Sequence, residues 1–454
     1  MMKRIKQYMF MVIVGFFGIS CSNFLDLKPD QKMAIPESLE HCELLLNDYT
    51  AMNTGYPTLG EIANDDYFLK TADWLSLSEF EEKQSYIWAV DMINLNNQWQ
   101  NSYKVVYLSN QILDVVRKLD PNQDAQKHSN VLGAAHFFRA FAFHQVATTF
   151  TLPYRESTAS QEMGIPLRLK PEMDYKSVRT SLKESYDQII SDYKVAIANL
   201  PISVALKGRP QKATAYAGLA RVYLEIQDYA QAHLYADSCL QLQHELLNYK
   251  ELDQSAGFPM ARFNKEVLFP AIGLYTPILS QYVAHVDSNL YLEYDLHDYR
   301  KKLFFQPNDS DLGTYGFKGS YDNSDAQPFV GLTTSEVYLI RAESAVRTGK
   351  VNQALSDINM LLKNRIDANY FTAIVEKNPE RLLRIILGER RKELIFRGQR
   401  WSDLKRLNQD DRFKKTLVRV IDGKEYRLEP NSLKYAHLIP ELVISESGMP
   451  QNKR

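Results

Sequence analysis

Cysteine is scarce in this chain: Cys21, Cys42 and Cys239 are the three among 454 residues. Three scattered thiols exclude a disulfide framework or a zinc cluster. Glycine (19) and proline (18) are each about 4% of the residues, under the usual ~7% and ~5%, so the chain is short of turn-forming residues and leans towards helix. An excess of one charge is missing too, because 54 Lys and Arg stand against 55 Asp and Glu for a formal charge of −1. With no basic surplus to neutralise phosphates, no nucleic-acid partner is expected. Catalytic signatures are absent as well: there is no His-Glu-x-x-His, Gly-x-Ser-x-Gly or Walker loop, and Gly313, Gly316 and Gly319 lack dinucleotide spacing. The sequence therefore assigns no catalytic residue, no metal ligand and no cofactor. His136 and His144 lie eight apart on one predicted helix, too far for one metal, and Asp309-Ser-Asp311 lacks the glutamate that closes a calcium loop.

A long apolar run is also missing. The first residues carry Lys3, Arg4 and Lys6, residues 8–19 are free of charge, and Gly18-Ile-Ser-Cys21 closes the run. Twelve uncharged residues cannot span a ~30 Å hydrocarbon core. A basic start, a short apolar stretch and small residues before a cysteine read as a lipoprotein signal peptide over 1–20, with Cys21 as the lipid-bearing first residue of the mature chain. Acyl chains gain ~0.8 kcal/mol per buried methylene, so such a protein is tethered to a membrane rather than embedded in it.

The rest is an ordinary globular composition, 45% hydrophobic and 24% charged, and its apolar residues recur at helical spacing. Amphipathic helices are predicted over 98–119, 130–150 and 178–200. A repeat follows: Ala220, Tyr223, Tyr229, Ala232 and Leu240 reappear 122 residues later as Ala342, Ala345, Val351, Ala354 and Leu362. This spacing matches a tetratricopeptide hairpin, in which a helix, a break at Gln227-Asp228 or Thr348-Gly349, and a second helix meet through small residues. Pairing 98–119 with 130–150, and 178–200 with 214–226, brings the expected total to about four hairpins. The fold class is thus all-α, with the scaffold mainly in 98–245 and 333–406.

Two stretches lose the helical period, 49–97 and 249–331, and both mix aromatic with turn residues. Long aromatic-rich loops commonly carry recognition. Aromatic faces suit the apolar face of a sugar ring, with polar side chains bonding its hydroxyls. Asp66, Trp74 and Trp88 from the first stretch and Tyr291, Tyr294 and Tyr321 from the second are the candidate ligand-binding residues, expected to meet on one side of the scaffold.

Several motifs carry a resemblance. CSNFLDLKP (21–29), GAAHFFRAF (133–141), SEVYLIRAE (335–343), the closing Ile439-Pro440 and Gln451-Asn452 and, most specifically, ERRKELIFRGQRWSDLKR (389–406) together resemble the SusD/RagB family of Bacteroidetes outer-membrane nutrient-uptake lipoproteins. The resemblance spans the whole chain, so 21–454 is expected to be a single SusD-like domain. It implies a non-catalytic, cell-surface lipoprotein that captures an oligosaccharide, or in some members a peptide, and passes it to a SusC-like TonB-dependent transporter in the outer membrane. A tetratricopeptide-type adaptor and a glycoside hydrolase are the alternatives, and the second would need two carboxylates across a cleft.

Within 389–406 the physical reading is structural. Asn378 is an N-cap with Pro379 in the first turn, and Leu382, Ile385, Ile386, Glu389, Glu393 and Phe396 form one stripe. Glu389 and Glu393 then face the packed side and need cations, for which Arg400 and Arg406 are available. Gly398 suits a helix C-cap, and Trp401 with Asp403 would dock the next turn.

Overall fold

A computed structural model describes residues 36–172, 174–309 and 311–454. Cys21 and the 1–20 segment lie outside the described residues. Ser38–Arg454 is mostly helical, with a few short two-stranded pairings. None of its helices is long and apolar enough to cross a membrane.

The predicted helix over 98–119 is Asn97–Lys118. The second begins five residues before its predicted start, as Ala125–Phe150, because Asp124 caps it by accepting from the Lys127 N–H while the polar first turn hides the amphipathic period. The third begins later. Arg179–Ser181 is instead a strand paired antiparallel with Met163–Pro166, and a capping box between Ser181 and Glu184 starts the helix Leu182–Asn199.

The repeat is realised in matching elements. Lys212–Glu225 and Tyr229–Leu242 form one hairpin, and Thr334–Arg347 and Val351–Lys363 form the other, each helix starting 122 residues after its counterpart. The two breaks also correspond, since Gln227 (φ 66°) and Gly349 (φ 80°) both turn the chain through the left-handed region. Ala220, Ala232, Ala342 and Ala354 are all fully buried where helices meet.

Consecutive helices pack side by side, from Asn97–Lys118 through Ala125–Phe150, Leu182–Asn199 and the first hairpin to the second. Leu182–Asn199 pairs with Lys212–Glu225 as expected and packs on Ala125–Phe150 as well. Gly218 permits that approach, because a Cβ there would lie 2.5 Å from the Tyr193 ring.

The 389–406 run holds this array to the rest of the chain. The helix Pro379–Glu393 starts at Asn378, whose side chain accepts from the Glu380 and Arg381 N–H groups. Glu389 and Glu393 do face inward, but their partners are not Arg400 and Arg406. Arg300 meets Glu389 at 2.7 Å, and Arg365 meets both Glu393 (2.8 Å) and Glu266 (2.7 Å). The stripe points away from its own turn towards the 249–331 segment, and so it takes arginines from there and from the end of the second hairpin. Arg406 instead binds Glu343 and Asp403, and Arg400 binds Asp65. Burial works to raise the Glu393 carboxyl, yet Arg365 and Arg300 outweigh it and lower it to about 2. Asp403 is likewise held below the usual carboxylate range by Arg390 and Arg406 against its burial.

Gly398 is not a C-cap. The helix ends at Glu393 with Leu394 as its cap, and Gly398 (φ 69°) lies in the following turn, donating its N–H to Glu61 at 2.8 Å. Trp401 docks as expected, its indole N–H donating to the Tyr435 carbonyl at 3.2 Å.

Candidate functional site

The two irregular stretches are joined to each other. Thr54–Tyr56 pairs parallel with Ile272–Gly273, and Tyr67–Phe68 pairs antiparallel with His285–Val286. Such short strands are marginal alone and persist because side chains brace them.

Four of the six candidates are enclosed in that bracing. Asp66 is buried and ion-paired with Arg391 at 2.9 Å, and its own desolvation still raises its carboxyl above the usual range. Trp88 is buried, with its N–H on the Ala63 carbonyl and the Arg419 guanidinium 4.6 Å from its ring. Tyr294 donates to the Lys392 carbonyl at 2.8 Å. Tyr321 donates to Glu266 at 2.6 Å and lies under Arg397, 3.6 Å from the ring centre. These three rings are closed off from solvent by the interior around them.

Trp74 and Tyr291 also carry a cation over the ring, Lys83 and Lys301 each 4.7 Å from the centre, but differ in being half-buried. Trp74 lies in the short helix Thr71–Ser76, with its indole N–H on the Lys83 carbonyl at 3.1 Å. Tyr291 lies in Ser288–Leu292 and stacks on the half-buried Tyr315, centroids 3.6 Å apart and planes 15° from parallel. Burial beside Tyr315 raises the Tyr291 phenol.

A polar cluster runs between these two platforms. Asp73, next to Trp74, has its carboxylate 3.1 Å from Nε2 of His285. On the other side of the ring, Nδ1 lies 3.0 Å from the Asn308 amide nitrogen and 3.1 Å from the Thr314 hydroxyl. Asn308 and Thr314 flank the hairpin of Phe305–Pro307 with Tyr315–Phe317, so Thr314 is the chain neighbour of Tyr315. Thr314 in turn donates to Asp311, whose carboxyl is lowered by an ion pair with Lys70 and by Thr314.

The sequence singled out neither His285, Asp73, Asn308, Thr314 nor Tyr315, and it also passed over the strongly exposed Tyr275 and Tyr282. Only their place in an aromatic-rich irregular stretch pointed to them. Among the described residues no group of His, Cys, Asp and Glu is placed to hold a metal ion. His136 and His144 meet different carboxylates, Asp192 and Glu225, inside the array.

Comparison with known proteins gives a consistent result. Residues 23–224 match a family described as starch-binding and associating with the outer membrane, and residues 314–435 match the SusD family. The SusD-like protein P2 of Formosa agariphila is 24% identical over 372 residues, 68% of this chain and 71% of that protein. A Bacteroides vulgatus crystal structure, put forward as a sugar-binding protein, superposes with a TM-score of 0.75 at 22% identity, covering 92% of this chain and 99% of the other. A SusD superfamily protein from Bacteroides thetaiotaomicron gives 0.72 at 20% identity, covering 92% and 100%. With its helical array, its two joined irregular stretches and two family models in the order the motifs predict, this chain belongs to the SusD/RagB family.

Proposed function

We propose that this protein is a cell-surface lipoprotein that captures an oligosaccharide, or as a related ligand a peptide, and delivers it to a SusC-like TonB-dependent outer-membrane transporter without cleaving it. The observation that carries the reading is the pair of half-buried platforms, Trp74 on one segment and Tyr291 stacked on Tyr315 on the other. Half-buried aromatics beside polar side chains provide an apolar surface for a sugar ring and donors and acceptors for its hydroxyls. The sugar-binding description of the Bacteroides vulgatus neighbour and the starch-binding description of the first family model support the ligand class. Asp403 and Glu389, the carboxylates a hydrolase reading would choose, are taken up in ion pairs with Arg390 and Arg300.

Anchoring belongs to the same proposal. Residues 1–20 act as the signal peptide, Cys21 carries the lipid, and 21–454 forms one domain. Replacing Cys21 by Ala is expected to release the protein from washed membranes, and its retention there would refute the anchor.

Ligand binding is tested with the lipid-free chain on a glycan array, followed by calorimetry and an assay for new reducing ends. A bound glycan whose affinity falls at least tenfold in Trp74→Ala and Tyr291→Ala, with no new reducing ends, is expected. Binding unaffected by either substitution would place the site elsewhere, and cleavage would favour the hydrolase.

A further inference from the structure

His285 is a buried imidazole in which every ring nitrogen is used, and its hydrogens can be assigned from its neighbours. The Asn308 amide nitrogen can only donate, so Nδ1 accepts and the proton is on Nε2, pointing at the Asp73 carboxylate. The second amide hydrogen of Asn308 reaches the Thr314 oxygen at 2.9 Å, and the Thr314 hydroxyl then donates to Asp311. Each donor along the line from Asp73 to Asp311 has an acceptor. The ring itself lies on Phe68, centroids 5.2 Å apart and planes 22° from parallel, within the strand pair that joins the two irregular stretches.

This line ends beside a platform at both sides. Asp73 precedes Trp74 in a helix of six residues, and Thr314 precedes Tyr315, against which Tyr291 stacks. Neither the six-residue helix nor the three-residue strands are stable units alone. We infer that His285 is a positioning residue that sets the separation of the Trp74 and Tyr291–Tyr315 platforms, and that the ligand is an oligosaccharide long enough to touch both. The inference rests on the carbohydrate reading above and adds a length requirement to it. A chain that reaches both platforms gains from the second contact only if the spacing is held, because the effective concentration of the second platform falls as its position spreads. A disaccharide on one platform is indifferent to that spacing.

The first arm of the test needs no ligand. In a Cys21→Ser chain, Leu75→Cys and Leu292→Cys replace two exposed residues beside the platforms, while Cys42 and Cys239 are buried and resist nitroxide labelling. Electron–electron resonance should give a narrow distance distribution between the labels, broadened at least twofold by His285→Leu and by Asp73→Ala. Asp73 is part-exposed, so its variant preserves the test if His285→Leu does not fold. The second arm uses malto-, xylo-, laminari- and manno-oligosaccharides of two and six units in calorimetry. The six-unit to two-unit affinity ratio should fall at least tenfold in the variants, with two-unit affinity within twofold of the parent. A parallel loss for both lengths, or an unchanged distance distribution in a folded variant, overturns the role of His285. Failure of the parent chain to bind any of these sugars overturns the ligand half and counts against the carbohydrate reading, while the label distances still decide the positioning half.

Discussion

The helical array and the face made by 49–97 with 249–331 draw on similar residues, yet they are held in opposite ways. In the array several helices are started by a side chain a few residues away, as with Asp228 accepting from Gln231 or Thr333 from Glu336, and buried alanines fill the contacts. The face has short capped turns, such as Asp287 accepting from Asn289, but its segments are joined over long separations. Asp66 meets Arg391 across 325 positions of sequence, and His285 meets Asp73 across 212. Near-neighbour order survives independently of the rest, whereas a face stitched by distant ion pairs exists only once the array presents the partners.

The largest effect should come from cutting the stitching where it is deepest. Glu393→Ala would leave Arg365 and Arg300, both fully buried, short of an anion. A loss of about 3–5 kcal/mol in urea unfolding is expected, and a midpoint equal to that of the parent would show that the network does not bear on stability.

A second prediction uses pH to separate the regions. Burial, with Glu79 nearby, pushes the Glu82 carboxyl up to about 7, against a hydrogen bond that it accepts from the Ile278 N–H at 3.4 Å. An unfolded glutamate titrates near 4.3. Between that value and about 7 the folded state therefore holds more protons, and the contribution of this group to stability, full at lower pH, is lost as pH rises through about 7. Glu82→Gln should match the parent at pH 4 and exceed it by about 3–4 kcal/mol at pH 8. An identical pH profile in parent and variant would rule out Glu82 as the source of that slope.

Overpacking the array comes next. Ala232→Phe and Ala354→Phe enlarge fully buried helix contacts and should each cost ~1–3 kcal/mol, while the same change at exposed Gln241 should cost little. Equal melting temperatures for the three variants would refute the packing of both hairpins.

The smallest effect is expected from an exposed pair within one helix. Lys183→Ala removes a 3.1 Å contact with Asp187 and should change stability by less than about 0.5 kcal/mol. A larger loss in chemical denaturation would mean that the array depends on its surface charges.

The sites of misreading follow the same division. The helix over Leu182–Asn199 was legible except for its start, where the strand Arg179–Ser181 competes through a partner at Met163–Pro166. Glu389 and Glu393 were placed on the inward stripe from spacing alone, but their arginines were not, because Arg300 and Arg365 lie in segments with no periodic relation to them. Of the six candidate ligand residues, aromatic or acidic character could not separate Trp74 and Tyr291 from Asp66, Trp88, Tyr294 and Tyr321. The same ring serves as interior or as platform according to what the rest of the chain lays over it.

The order of the array helices, their hairpin repeat and the family were thus carried by sequence alone, since apolar spacing and the 389–406 motif involve residues close in the chain, whereas Leu39–Asn47 and the short helices within 49–97 were not. Which aromatics remain half-exposed, which arginines neutralise the buried glutamates, and the junction of Asp73, His285 and Thr314 between two platforms were decided by tertiary structure. Each depends on surfaces that meet across separations from 28 to 212 residues, where burial and distant counter-charges, rather than local backbone preference, determine what a side chain can touch.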